Sequence, residues 1–319
     1  MNTTNNTTSS NQFEFYQYNP KIGASIFFTI MFCITFIVLL ILVIKYTCKN
    51  RYKVKSWSQL ENARYYALGK LTGAYIPLLV GCATEIAGYI GRSVSAKNKE
   101  LMGPYIEQSI LLLIAPTLFA GSIYMIFGRM AYLLYEEKMM IMPAKFSTMI
   151  FVIGDIFSLF LQGAGGGVMA QENGHNTGSA LVTIGLFVQI AFFGLFIINE
   201  IIFYHRIGKT SNNIPKKSKS WKSLNLILLI NSILILIRSI VRVVEFLEGF
   251  SGYISSHEWF LYVFDALPMF CLTLIFTSTF GISNLYKLQE ESVDIQVYNV
   301  IVDIEADKEK NNKNEKFEI

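Results

Sequence analysis

Arg238, Arg242 and Glu245 stand four and three residues apart inside the otherwise apolar run ILILIRSIVRVVEFLEG, residues 233–249. That spacing puts all three on one stripe of an α-helix. An arginine at the centre of a bilayer costs about 2.5–3.5 kcal/mol, so two of them one turn apart require partners. Ionisable or amide side chains recur in other apolar runs: Glu85, Asp155 with Gln162, Gln189, and Asp265, with Arg92 and Glu258 at the ends of two of them. A carboxylate can pair an amine, and a guanidinium can take a phosphate or carboxylate bidentately. The chemistry these types suit is recognition of a charged head group. At this level two readings stand: ion pairs that only fix helix register, and a polar cavity that binds the head group of an amphiphile.

The elements that carry these residues are membrane spans. The chain is 52% hydrophobic and only 16% charged, with a mean hydropathy of +0.41. One water-soluble core cannot hide that much apolar surface. A span needs about 20 apolar residues, and seven stretches qualify, near Ile22–Ile44, Leu68–Ile90, Ser109–Phe127, Phe146–Val168, Ala180–Phe203, Leu224–Leu247 and Trp259–Ile282. The expected fold is all-α and polytopic, with three regions: an N-terminal tail over 1–21, a seven-helix domain over 22–282 and a disordered tail over 283–319.

Lys and Arg in the loops orient the bundle. Loops one, three and five carry fifteen (Lys45, Lys49, Arg51, Lys53, Lys55, Arg64; Arg129, Lys138, Lys145; Arg206, Lys209, Lys216, Lys217, Lys219, Lys222), whereas Lys21, Arg92, Lys97 and Lys99 are the four on the other side. The N-terminus is therefore expected outside and the C-terminus in the cytoplasm. The sequons at Asn2, Asn5 and Asn6 then lie on the side where glycosylation occurs.

With that topology Glu85, Asp155 and Asp265 are expected to meet Arg238 and Arg242 in the outer half of the bundle, with Gln162 and Gln189 joining the polar interior. Glu200 is expected to reach the cytoplasmic interface beside Arg206. Gly163, Gly165, Gly166 and Gly167 lie at the outer end of the fourth span. No Gly-Lys-Ser/Thr follows them, so they are not a phosphate loop. Gly163 and Gly167 have the spacing that lets helices approach closely, and unwinding of the helix is the alternative. Pro77, Pro116 and Pro268 would each free a backbone carbonyl and kink a span.

The sequence asks for no metal and no cofactor. His205 falls on the opposite side of the membrane from His175 and His257, so the three cannot share a zinc ion. No G-x-S-x-G elbow and no nucleotide motif is present, and the chain is read as a non-enzyme. No outer loop holds a cysteine, so no outer disulfide is expected; Cys48 is juxtamembrane.

Several of these segments carry a resemblance. EIAGYIGR (Glu85, Gly88, Tyr89, Arg92), APTLFAGSIYMIFGR (Ala115, Pro116, Tyr124, Arg129), DIFSLFLQGAGG (Asp155, Ser158, Gln162, Gly163, Gly165, Gly166), Gly185 with Gln189, RSIVRVVEFLEGFSG (Arg238, Arg242, Glu245, Gly249, Gly252) and EWFLYVFD (Glu258, Tyr262, Asp265) resemble the fungal lipid-translocating exporter family. That family includes the resistance-to-aminocholesterol factors and a sphingoid long-chain-base exporter. The resemblance covers the second to seventh spans. It implies a fungal protein of the plasma membrane or endomembranes, tied to lipid asymmetry, export of sphingoid bases and resistance to toxic amphiphiles. Membrane lipids, sphingoid bases or phospholipid head groups would be its partners, with cytoplasmic regulators for the tail and no nucleic acid. Two alternatives remain: a seven-helix lipid sensor or stress regulator, and a porphyrin or haem transporter.

Overall fold

In a bilayer the usual distribution of side chains is inverted: aliphatic residues face outward and polar ones must find partners within the bundle. The first helix, α1 (Ile22–Trp57), shows the outward face plainly. Ile26, Ile30, Ile34, Ile37, Ile41 and Ile44 recur every three or four residues and are all exposed, while Ser25, Phe28, Phe32, Thr35, Leu39 and Val43 are buried. The computed structural model of the chain describes residues 20–57, 65–97, 102–141, 144–169, 174–210, 218, 220–249 and 252–317. The sequons at Asn2, Asn5 and Asn6 lie outside the described residues.

The protein is all-α, and no strand occurs among the described residues. After α1 come α2 (Leu68–Gly73), α3 (Ile76–Lys97), α4 (Met102–Leu133), α5 (Ala144–Met169), α6 (His175–Thr210) and α7 (Ser220–Glu248). Two short helices, α8 (Tyr253–Ser256) and α9 (Glu258–Leu261), lead through a π turn at Tyr262–Ala266 into α10 (Leu267–Thr279), and α11 (Leu285–Phe317) follows. Seven spans are long and apolar enough to cross a membrane: Ile22–Trp57, Leu68–Lys97, Gly103–Leu133, Thr148–Met169, Asn176–Ile207, Ser220–Glu248 and Glu258–Thr279. All seven expected stretches are therefore helical, and most run a turn or more further than hydropathy alone suggests. All four cysteines are free.

The spans close in a ring. α3 packs between α1 and α4, α5 between α4 and α6, α7 between α6 and α10, and α10 returns to α1; α4 also touches α7 across the middle. Buried aromatic rings fill the gaps. Tyr124, Phe151, Phe193 and Phe196 join α4, α5 and α6, with ring centroids 4.6–6.1 Å apart.

Two of the three prolines mark a change in their spans. The second span breaks at Ala74–Tyr75, just before Pro77, into α2 and α3. The exposed ends of that break are bonded from α4: Arg129 donates to the Leu71 carbonyl at 3.3 Å and Ser122 to the Ala74 carbonyl at 2.6 Å. Pro116 lies inside α4, which runs on without interruption. Pro268 lacks the N–H that would reach the Phe264 carbonyl, and the preceding turn widens from α to π.

The segment expected to be a disordered tail is instead α11, helical to Phe317. Leu285, Tyr286, Leu288 and Val293 are buried beneath its first turns. Its polar residues fasten the ends of other elements. Gln289 accepts from the Tyr66 N–H and donates to the Tyr66 carbonyl, and Ser292 donates to the Leu133 carbonyl at 2.7 Å. Glu290 pairs with Lys53. Glu291 accepts from Ser218 and from the backbone N–H of Ser220 at the start of α7. Hydropathy could not reveal this packing, because much of it consists of bonds from polar side chains to orphaned backbone groups.

Truncation after Asn284 is therefore expected to lower the melting temperature in detergent by several degrees, whereas truncation after Ile301 should leave it nearly unchanged. Asp294 provides a pH-dependent check. Loss of hydration and the neighbouring Glu290 and Glu291 carboxylates raise its carboxyl above the ordinary aspartate value, against an opposing pull from Lys53. The folded state therefore holds this proton more tightly, and stability falls as pH rises from the ordinary value through the raised one. Asp294→Asn should raise the melting temperature by on the order of 1 °C at neutral pH, with no gain below about pH 3.9.

Candidate functional site

The stripe on α7 finds its partner on the π turn. Asp265 is shared: one carboxylate oxygen pairs with Nε of Arg238 and the other with Nη2 of Arg242. Asp265 and Arg238 are almost wholly buried. Arg242 also donates to Glu245 at 3.0 Å, one turn along α7. Two guanidinium groups thus face two carboxylates, which removes most of the cost of holding either arginine in the bundle.

Arg238 makes one more bond, and it explains a proline. Nη2 of Arg238 donates to the Leu112 carbonyl of α4 at 2.6 Å. Leu112 lies four residues before Pro116, so its carbonyl is the one left without a helical N–H. The gap in α4 and the arginine in α7 satisfy each other.

Glu85 of α3 is buried and lies within electrostatic reach of Asp265, Arg238 and Arg242. One of its carboxylate oxygens, and the hydroxyl of buried Tyr89 one turn away, have no hydrogen-bond partner among the described residues. Beside the ion pairs a cleft of about 40 Å³ opens, lined by Arg238, Arg242, Glu245, His257, Phe264 and Asp265 among others. That volume suits one or two water molecules, against about 30 Å³ for each in the liquid.

A second charged knot sits where the chain enters α1. Arg92 donates to Glu258 at 3.0 Å and to the Tyr262 hydroxyl at 3.1 Å, and that hydroxyl donates to Glu258 at 3.1 Å. Both oxygens of Glu258 also accept from the backbone N–H of Lys21, at 3.0 and 2.9 Å. Arg92 is buried, and its guanidinium lies 5.4 Å from the Tyr262 ring centroid. Tyr262 was not singled out by residue type, although its position four residues after Glu258 places both on one helical face.

Other expected members lie elsewhere. Asp155 does not meet the arginines; it accepts from the Tyr124 hydroxyl at 2.9 Å within the aromatic layer of α4, α5 and α6. Gln162 and Gln189 do meet, at 3.2 Å, but across the α5–α6 seam, where Ser158 bonds Gln162 at 2.6 Å and the Gly185 carbonyl at 2.8 Å. Of the glycine cluster, only Gly165 makes a close approach. A Cβ there would lie 2.7 Å from the Gly178 carbonyl, whereas Gly163, Gly166 and Gly167 have open space. The Gly163–Gly167 spacing is therefore not the packing face, and α5 continues through it without unwinding. Glu200 does not reach an interface: it is fully buried against Ser232. Arg206 turns instead to the Met139 carbonyl.

The fold and the shared aspartate together define a seven-span membrane protein with a buried ionic centre. The family model described as "RTA1 like protein" matches residues 78–287, from α3 to the start of α11. The chain belongs to this RTA1-like family. It is 52% identical to Protein RTA1 of Saccharomyces cerevisiae, over 89% of this chain and 90% of the relative. It is 42% identical to Protoporphyrin uptake protein 1 of the same species, over 89% and 97% of the two chains. It is 27% identical to Sphingoid long-chain base transporter RSB1 of S. cerevisiae strain Lalvin EC1118, over 60% of each chain. No solved structure matches the chain.

Removing either Arg242 or Asp265 leaves buried charge behind, so Arg242→Ala and Asp265→Ala are each expected to cost about 3–5 kcal/mol. Their combination should cost less than the sum by about 1–3 kcal/mol in thermal unfolding, and strict additivity would show that the two do not pair. Pro116→Ala should yield far less than the ~3 kcal/mol normally recovered on removing an interior proline, because the restored N–H competes with Arg238 for Leu112.

Proposed function

We propose that the protein moves amphiphiles across the membrane, with the Asp265–Arg238–Arg242 centre receiving the charged head group while the tail stays in lipid. The observation that carries this reading is the single carboxylate shared by two arginines beside a cleft. A zwitterionic head group can exchange with partners already inside the bundle, and a cation can take the open oxygen of Glu85, so neither the cargo nor the protein is left with an unpaired charge. Lipids with a cationic or zwitterionic head group, and sphingoid long-chain bases in particular, are the cargo we favour. Their amine suits Asp265 and Glu85, and a phosphate suits either arginine. The RSB1 relative's name points the same way.

A cleft of about 40 Å³ cannot hold such a group. On this reading the conformation is a closed one, and opening parts α7 from the π turn. The Arg92–Glu258–Tyr262 knot is the gate at the face where α1 begins. We place that face outside, with α11 in the cytoplasm and the N-terminal sequons glycosylated, a reading supported by the positive residues of loops one, three and five. We place the protein in the plasma membrane.

A porphyrin cargo is the second reading. It is favoured by the nearer relationship to the protoporphyrin uptake protein, at 42% identity. Porphyrin propionates would pair with Arg238 and Arg242 and displace Asp265.

The test uses purified full-length protein in phosphatidylcholine liposomes, with a labelled sphingoid base in one arm and protoporphyrin in the other. The favoured reading expects sphingoid-base movement well above that in empty liposomes, and a loss of tenfold or more in Asp265→Asn. Movement of protoporphyrin alone would select the second reading. If neither cargo moves faster than in empty liposomes, the carrier reading is wrong.

A further inference from the structure

A second buried polar group lies away from the arginine–aspartate centre. Glu200 of α6 has no exposed surface and one contact to its carboxylate, from the Ser232 hydroxyl at 3.3 Å. Its other oxygen has no partner among the described residues. Asn231, the residue before Ser232 on α7, is equally buried, and neither end of its amide is bonded. Ser232 precedes Arg238 by six residues, about 9 Å along the helix axis.

The ionisable groups on elements packed around Glu200 are engaged elsewhere or lie at the ends of their elements. Asp155 of α5 accepts from Tyr124 of α4. Arg129 of α4 turns to the Leu71 carbonyl, and Arg206 of α6 to that of Met139. Lys222 of α7 stands over the Trp221 ring, 5.9 Å from its centroid, and Arg238 is held by Asp265. Glu137 and Lys138 belong to the 3₁₀ turn after α4. Among the described residues no cation pairs with Glu200. An ionised carboxylate bonded by one hydroxyl is poorly stabilised inside a bundle, whereas the neutral acid avoids the cost of burying a charge.

We propose that Glu200, with Ser232 on the facing helix, is a proton-binding site separate from the arginine–aspartate centre. The step is simple protonation: the carboxylate takes one proton from water to become the neutral acid, and returns it when the α6–α7 seam becomes hydrated. If the carrier reading above also holds, this proton is the ion to which amphiphile movement is coupled; that extension rests on the carrier reading, and the proton site does not.

Difference infrared spectroscopy of the full chain in phosphatidylcholine nanodiscs tests it. A protonated-carboxyl C=O band should shrink as pH rises, vanish in Glu200→Gln and persist in Asp155→Asn. Ser232→Ala, which removes the one donor to the ionised form, should move the band's midpoint upward by about 0.5–1 pH unit, and keeps the test open if Glu200→Gln fails to fold. Identical spectra for wild type and Glu200→Gln, a band constant at every pH, or an unmoved midpoint in Ser232→Ala would overturn the proposal. Loss of the band on adding sodium at fixed pH would assign the site to a metal cation and would also overturn it. Where liposome transport is observed, Glu200→Gln should lose its response to an imposed pH gradient by tenfold or more. Absence of transport altogether would fail the carrier reading and leave the infrared result standing.

Discussion

One carboxylate between two guanidinium groups organises the bundle. Asp265 on the π turn bonds both Arg238 and Arg242, and Arg238 reaches on to the Leu112 carbonyl that Pro116 leaves open. Three spans are tied at one point, and each supplies something costly to bury alone: two cations, an anion and an orphaned carbonyl. The cleft beside them has room for only one or two water molecules, so each depends chiefly on the others. The rotation of α7 follows. Arg238 must face α4 and α10, which turns Leu226, Ile230, Ile233, Ile237 and Ile240 outward, where they are exposed.

The same constraint underlies the proposed carrier role. Ionic partners that neutralise one another can be exchanged for a ligand's charges without leaving any group bare. On that proposal, the small cleft marks a bundle closed around its ionic centre. The fixed points are elsewhere. The aromatic layer of α4, α5 and α6 and the glycine contact between α5 and α6 form a tightly packed half, while α11 fastens the ends of α1, α4 and α7 and the start of α2. The π turn and the Arg92–Glu258–Tyr262 knot are joined to α7 and α3 by charged side chains.

Much of this was legible from residue types. Seven apolar runs became seven helical spans, and the need of Arg238 and Arg242 for acids pointed to Glu85, Asp155 and Asp265, of which Asp265 takes both. The proline at 116 announced a free carbonyl. What pattern could not supply was which groups meet. Asp155 and Asp265 look alike in the sequence, yet one is bonded by Tyr124 and the other takes both arginines. Gly163 and Gly167 have the expected spacing, yet Gly165 is the residue that touches Gly178. Glu200, six residues before Arg206, reads as an interfacial acid and is buried.

The sequence by itself determined that the chain lives in a bilayer, how many times it crosses, and that its intramembrane charges must be paired. These follow from transfer free energies, which depend on composition and length alone. Only the tertiary structure decided the pairs, the burial of Glu200 and the docking of α11. Those depend on the rotation and register of helices about one another, and on polar side chains meeting backbone groups far away in the chain. Such contacts leave no periodic trace, because each is a single bond between residues whose types are common at many other positions.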